Sequence, residues 1–147
     1  VEIGVWKGRS TFALASATRG VVYAVDHWCG SADELDGVYR ELKTSEGRRL
    51  AFAEATNNLW PLIDLGKCVP LRMTSAKAST LILADMVFID GSHDAISVEM
   101  DIRSWLPCSK MICGHDFDAV KNTVAKLLPV VNRGPGSIWF CPSGSTP

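Results

Sequence analysis

No apolar stretch in this 147-residue chain reaches about 18 residues, so no membrane-spanning helix is expected. No signal-peptide pattern opens it. Neither sign of charge dominates: 15 Lys and Arg face 16 Asp and Glu, for a formal net charge of −1. That balance lacks the basic footprint of a nucleic-acid binder, so neither nucleic acid nor membrane is expected as a partner. The five cysteines, Cys29, Cys68, Cys108, Cys113 and Cys141, contain no CxxC pair. A zinc site and a disulfide framework are thereby disfavoured, and a reducing, cytoplasmic setting is expected. There is no GxSxG elbow, no Walker A sequence, no internal repeat and no low-complexity tract. The composition, 47% hydrophobic and 21% charged, is that of one globular domain. Residues 1–142 are read as that domain and 143–147 as a frayed tail. The chain enters an apolar run at Val1 without a Met, so natural N-terminal residues are expected to be missing.

Short apolar runs alternate with segments of helical spacing. Strands are expected at VEIGV, VVYAVD (21–26), CVPLRM (68–73), MVFID (86–90), within SKMICGHD (109–116) and in GPGSIWFCP. Pro70 assigns the third of these to a sheet edge. Helices are expected at RSTFALASAT, closed by Gly20, then at DELDGVYRELK, GRRLAFAEATNNL and SAKASTLIL. Two more follow at HDAISVEMDIRSWL and DAVKNTVAKLLPVV. Such alternation predicts an α/β fold: a Rossmann-like, mainly parallel sheet with helices on both faces.

In such sheets ligands bind beyond the carboxyl ends of the strands, and all three histidines lie there. After the first strand, Gly4 and Gly8 let the backbone pass close to a ligand. The dinucleotide fingerprint GxGxxG is absent, because Trp6 holds its second glycine position. Glu2, an acid inside the strand, suits a cationic or hydroxyl-bearing ligand better than a phosphate; a plain tight turn is the alternative. Asp26 ends the second strand about 20 residues further on, where nucleoside-binding folds place an acid for the ribose hydroxyls. Its alternative is a turn or cap. Asp90, His93, His115 and Asp116 bring two carboxylates and two imidazoles to neighbouring strand ends. They suit Mg²⁺ or another hard divalent ion, or a general base at His93. The alternative there is a turn at Asp90 and Ser92, with His93 capping the next helix. Trp28 is either a platform for a ligand base or core, and the cysteines read as small buried hydrophobes.

The ordered set VEIGVWKGRST, VYAVDHW, MTSAKAS, VFIDGSHDAISVEMDIRSWLP and ICGHDF resembles class I S-adenosylmethionine-dependent methyltransferases. More narrowly it resembles the small-molecule O-methyltransferase branch of sugar and natural-product pathways. The resemblance implies that Glu2, Gly4 and Gly8 line the methionine end of the cofactor, with Ser10 nearby. Asp26 would hold the ribose, with Trp28 beside the cofactor. Ser75 and Ala76 would flank the adenine. It implies Asp90 and Asp116 as Mg²⁺ ligands, with His115 in the remaining position and Asp90 also against the cofactor. His93 then falls where the relatives carry their general base, beside Asp90 as catalytic partner. The chain departs from the pattern at His115, where an acid or amide is commoner. It also lacks Gly-Gly in Pro107-Cys108-Ser109-Lys110 and helices before the first strand, so a truncated seven-stranded fold is expected. The implied activity is methyl transfer to a hydroxyl of a small molecule, a sugar or glycosylated metabolite, with an oligomer left open. Two alternatives stand beside it: a non-catalytic cofactor-binding or interaction domain, and a metal-dependent hydrolase.

Overall fold

A computed structural model describes residues 1–30, 37 and 39–141. The chain packs as two compact units, residues 2–74 and residues 75–147 together with Val1. The fold is α/β with mostly parallel strands, as the alternation predicts.

In the first unit the strands are β1 (Glu2–Ile3), β2 (Val22–Asp26) and β3 (Cys68–Arg72), all parallel, in the order β3-β2-β1. Val22, Ala24 and Val25 of β2 are buried, which β-branched and small residues tolerate on both faces of a parallel strand. Pro70 lies on β3 at the end of that order, where a missing N–H costs the ladder little.

Helix α1 (Arg9–Ala17) turns Thr11 and Ala15 inward, and small residues at that spacing allow close packing. It ends at Ala17 with Thr18 extended, so Gly20 is not its cap; Gly20 N–H instead donates to the Thr18 hydroxyl. Helix α2 (Ser45–Asp64) starts on Thr44, whose hydroxyl accepts from Gly47 N–H, and buries Ala51, Ala55, Leu59 and Leu62. The expected helix over DELDGVYRELK falls partly outside the described residues; what is described of it forms one 3₁₀ turn at Arg40–Lys43. Trp28, Leu42 and Cys68 join the α2 residues in this unit's core.

The second unit carries β4 (Val87–Ile89), β5 (Ile112–Gly114), β6 (Asn132–Arg133) and β7 (Trp139–Cys141), in the order β4-β5-β7-β6. β4 and β5 are parallel and fully buried, while β7 runs antiparallel to both β5 and β6. The two-residue β6 escaped the sequence reading because both residues are exposed and show no alternation.

Helix α3 spans only Ser75–Ser79, short of the expected SAKASTLIL. The Ser79 and Thr80 hydroxyls donate back to the carbonyls of Ala76 and Lys77, a local bond that competes with helix propagation. Helix α4 (Ala95–Trp105) buries Val98, Ile102 and Trp105 and turns Ile96 and Met100 to solvent. Helix α5 (Phe117–Leu127) buries Val120 and Val124. The expected tail lies outside the described residues.

Gly8 packs closely against α2 in the first unit. Its φ is +84°, and a Cβ there would sit 2.9–3.2 Å from three atoms of the Leu59 side chain. Gly8→Ala adds a left-handed penalty to overpacking, so it is expected to cost about 2–4 kcal/mol in urea unfolding. A variant within 0.5 kcal/mol of wild type, on the ordinary scale of surface changes, would show that α2 yields here.

Candidate active site

In the first unit the turn after β1 is held by one carboxylate. Asp26 Oδ2 accepts from the N–H groups of Val5 (2.9 Å) and Trp6 (3.0 Å), and Oδ1 accepts from Trp28 N–H at 2.6 Å. Charge-assisted bonds of this kind are short and strong. They hold Trp6 (φ 46°) and Trp28 (φ 53°) in the left-handed region, which costs bulky residues free energy. Gly4, at φ 86°, turns the chain directly after β1, and its N–H donates to the Val25 carbonyl.

Trp28 is core rather than a platform for a ligand base. It is 1% exposed, its indole N–H donates to the Trp6 carbonyl at 2.8 Å, and its ring meets Phe52 edge-on. Trp6, by contrast, is exposed, with Tyr39 edge-on at 5.3 Å and the Lys7 ammonium 5.6 Å from its ring centroid.

Glu2 is fully buried, and Thr11 of α1 donates its hydroxyl to Glu2 Oε2. Burial, reinforced by the Glu2 charge, pushes the Cys68 thiol up to about 11, which makes it inert. Ser10 lies in the first turn of α1, half-buried, and no side chain caps that helix at Gly8. The uncapped N–H groups there fit a carboxylate such as the methionine end of the expected cofactor.

In the second unit, Ser75 accepts from the Trp105 indole N–H at 2.9 Å, while Ala76 is exposed. At the ends of β4 and β5 the structure brings four residues together. His93 Nε2 lies 2.8 Å from Asp116 Oδ2. His115 Nδ1 lies 3.2 Å from the same oxygen and 3.7 Å from Asp90 Oδ1. Asp90, His93, Ser92, His115 and Trp139 line a cleft of about 220 Å³, part of it open to solvent.

Helix α4 is capped by Asp94, not His93. Asp94 Oδ1 accepts from Ile96 and Ser97 N–H, and these bonds with the Ser92 hydroxyl hold its carboxyl down to about 2, the Ser92 bond most strongly. His93 instead lines the cleft. Asp116 precedes α5 in the left-handed conformation (φ 50°), yet its carboxylate makes no cap bond to α5 and turns to the imidazoles instead.

Among the described residues, Asp90, His93 and Asp116 place ligand atoms within 4.8 Å of one another. This set has His93 where the sequence reading put His115. His115 Nε2 is engaged by Ser137 at 2.8 Å, a partner on a Gly-Pro-Gly turn that carries no local motif to announce it. Two carboxylate oxygens side by side fit a hard divalent cation.

A methyltransferase-domain family profile matches residues 1–111, and the chain belongs to that family. It is a class I S-adenosylmethionine-dependent methyltransferase domain with the Rossmann-like fold of that class. A protein of Streptococcus mutans assigned as a methyltransferase, solved in complex with SAH, is 10% identical with a TM-score of 0.60, covering 95% of this chain and 85% of that one. Precorrin 8W decarboxylase of Methanobacterium thermoautotrophicum is 18% identical at a TM-score of 0.59, covering 96% and 80%. A protein of Clostridium thermocellum assigned as an rRNA methylase is 13% identical at 0.57, covering 95% and 84%. No curated protein shows significant sequence similarity. These neighbours differ in what they act on, so charge balance alone is no ground for excluding nucleic acid.

Asp90 generates a pH prediction. Burial, chiefly, raises its carboxyl from 3.8 to about 6; Asp116 adds to the rise, and His115 and His93 oppose it. The folded chain thus keeps a proton that the unfolded chain loses. The resulting stability is fully present below about pH 4 and lost as pH rises through about 6, a change of about 3 kcal/mol. With EDTA present, Asp90→Asn should gain about that much on wild type between pH 4 and 7 in urea unfolding. A difference flat with pH would show that Asp90 ionises as an ordinary carboxyl.

Proposed function

We propose that the chain transfers the methyl group of S-adenosylmethionine to a hydroxyl of a small molecule, a sugar or glycosylated metabolite, with His93 as general base. The observation that carries this reading is the His93–Asp116 pair in an open cleft, with His93 freed from capping α4. An acceptor hydroxyl in that cleft would give its proton to the imidazole as its oxygen attacks the methyl carbon. The O–C bond forms as the S–C bond breaks, and the proton leaves from His93 to solvent. Asp116 stabilises the imidazolium formed on the way and keeps the ring oriented.

On the first unit, Glu2, Gly4, Gly8 and Ser10 serve the methionine end of the cofactor and Asp26 the ribose. On the second, Ser75 and Ala76 serve the adenine, and Asp90 contributes to cofactor or ion. If Mg²⁺ takes part, Asp90 and Asp116 would hold it, and it would supply Lewis acidity toward the acceptor oxygen.

Titration calorimetry with S-adenosylhomocysteine tests the cofactor half. Micromolar binding, about −8 kcal/mol, is expected from wild type and from His93→Ala, and none from Asp26→Ala. Radiolabelled methyl transfer tests the acceptor half. Sugar and glycoside hydroxyls should be labelled by wild type and at least about 100-fold more slowly by His93→Ala. Labelling of RNA but of no small hydroxyl compound would overturn the acceptor reading while leaving the cofactor reading intact.

Asp116→Asn separates chemistry from folding. Asn accepts the left-handed conformation as readily as Asp, so the variant should unfold within about 0.5 kcal/mol of wild type. Methyl transfer should nonetheless fall at least about tenfold, because the carboxylate facing His93 is gone. Full activity in that variant would remove Asp116 from the mechanism.

A further inference from the structure

His115 faces a different partner at each ring nitrogen. Nδ1 points at two carboxylates, Asp116 Oδ2 at 3.2 Å and Asp90 Oδ1 at 3.7 Å. Nε2 meets the Ser137 hydroxyl at 2.8 Å. An ionised carboxylate only accepts, so the proton of a neutral His115 belongs on Nδ1. Nε2 is then an acceptor, and the one group that can serve both sides is a hydroxyl, which donates or accepts as required.

Ser137 is fixed in place by its own backbone. It follows Gly136 (φ 64°) in the hairpin turn between β6 and β7, where Ile138 N–H returns to the Pro135 carbonyl. Its carbonyl accepts from Phe117 N–H at 2.9 Å, which ties the turn to the start of α5. The Trp139 indole N–H holds the His115 carbonyl at 2.9 Å from the same hairpin. The hairpin therefore sets both the main chain and the ring of His115.

We propose that Ser137 is a positioning residue of the active site: its hydroxyl donates to His115 Nε2 and holds the ring with Nδ1 turned to Asp116 and Asp90, whose carboxylates set the Nδ1–H tautomer. The proton order then runs along a chain. Ser137 O–H donates to Nε2, and His115 Nδ1–H is turned to the Asp116 Oδ2 charge, an ion-pair contact at 3.2 Å. That oxygen also accepts from His93 Nε2–H, which leaves Nδ1 as the unprotonated nitrogen of neutral His93. Serine, histidine and aspartate in this order also make a hydrolytic triad. Ser137 is not among the residues that line the cleft, so it orients the cluster and does not attack a substrate. The role in methyl transfer rests on the reading above; the tautomer itself does not.

Ring-nitrogen correlation spectra of the ¹⁵N-labelled full chain, in EDTA at one alkaline pH, read the tautomer directly. Three histidines keep the spectra simple, and His27→Gln and His93→Gln assign them. Wild type should show His115 protonated at Nδ1, with Nε2 unprotonated and displaced by its hydrogen bond. Ser137→Ala should move the Nε2 signal to the position of an unbonded ring nitrogen. Ser137→Thr should restore the Nε2 position, and a native backbone spectrum in each variant separates this from unfolding. A proton on Nε2 in wild type, or an Nε2 signal unmoved by Ser137→Ala, overturns the proposal. Neither outcome depends on whether the chain methylates anything.

Discussion

Asp116 Oδ2 answers two imidazoles at once, and the second unit is arranged around that demand. The residue takes a left-handed backbone and leaves α5 without a side-chain cap, and both choices cost stability. A cap is ordinarily worth about 1 kcal/mol, and Asp is among the best residues for it. Here the carboxylate is spent on His93 and His115 instead. The contrast with Asp94 is close at hand: two residues of one type precede two helices, one caps α4 in the ordinary way and the other does not. Departures from local rules of this kind mark positions where function overrides folding.

Asp26 shows the opposite arrangement in the first unit. Its carboxylate is answered by three backbone N–H groups, with the His27 imidazole further off at 4.0 Å. Fixed amide donors orient an acid but exchange no protons with it, so Asp26 is equipped to shape a turn and offer its remaining lone-pair capacity to hydroxyls. The strain of Trp6 and Trp28 is carried by those same bonds. A ribose role and a scaffolding role are thus compatible in one side chain, and loss of Asp26 removes both.

The strand ends were legible because periodicity and chemistry agree there. MVFID and ICGHD are apolar runs that stop abruptly at charged residues, and Asp90, His93, His115 and Asp116 do converge. Local patterning could not say which histidine joins the carboxylates, since ring orientation depends on the β6–β7 hairpin more than 20 residues later. Ser137 was invisible for the same reason: a serine in a glycine-rich turn has no periodic signature. Trp28 was open between ligand and core because a Trp after a strand suits either; the Phe52 contact from α2 decides it. Helix ends were misread where hydroxyls bond backward, at Ser79 and Thr80, and where Thr18 ends α1 before Gly20 is reached.

The two histidines of the cluster differ in what surrounds them, and that difference assigns their work. His115 has its main-chain carbonyl held by the Trp139 indole, its Nε2 by a hydroxyl and its Nδ1 by carboxylates. A ring held on both sides in this way can relay order to the cluster. His93 precedes α4 outside its first turn, where Asp94 has already taken the capping bonds, and it lines the cleft opposite a shared carboxylate. A base must meet its proton at hydrogen-bond distance, so cleft access rather than residue type selects between them. The sequence spacing puts His93 three residues after Asp90, and the N-cap at Asp94 is what converts that spacing into a side chain presented to the cleft.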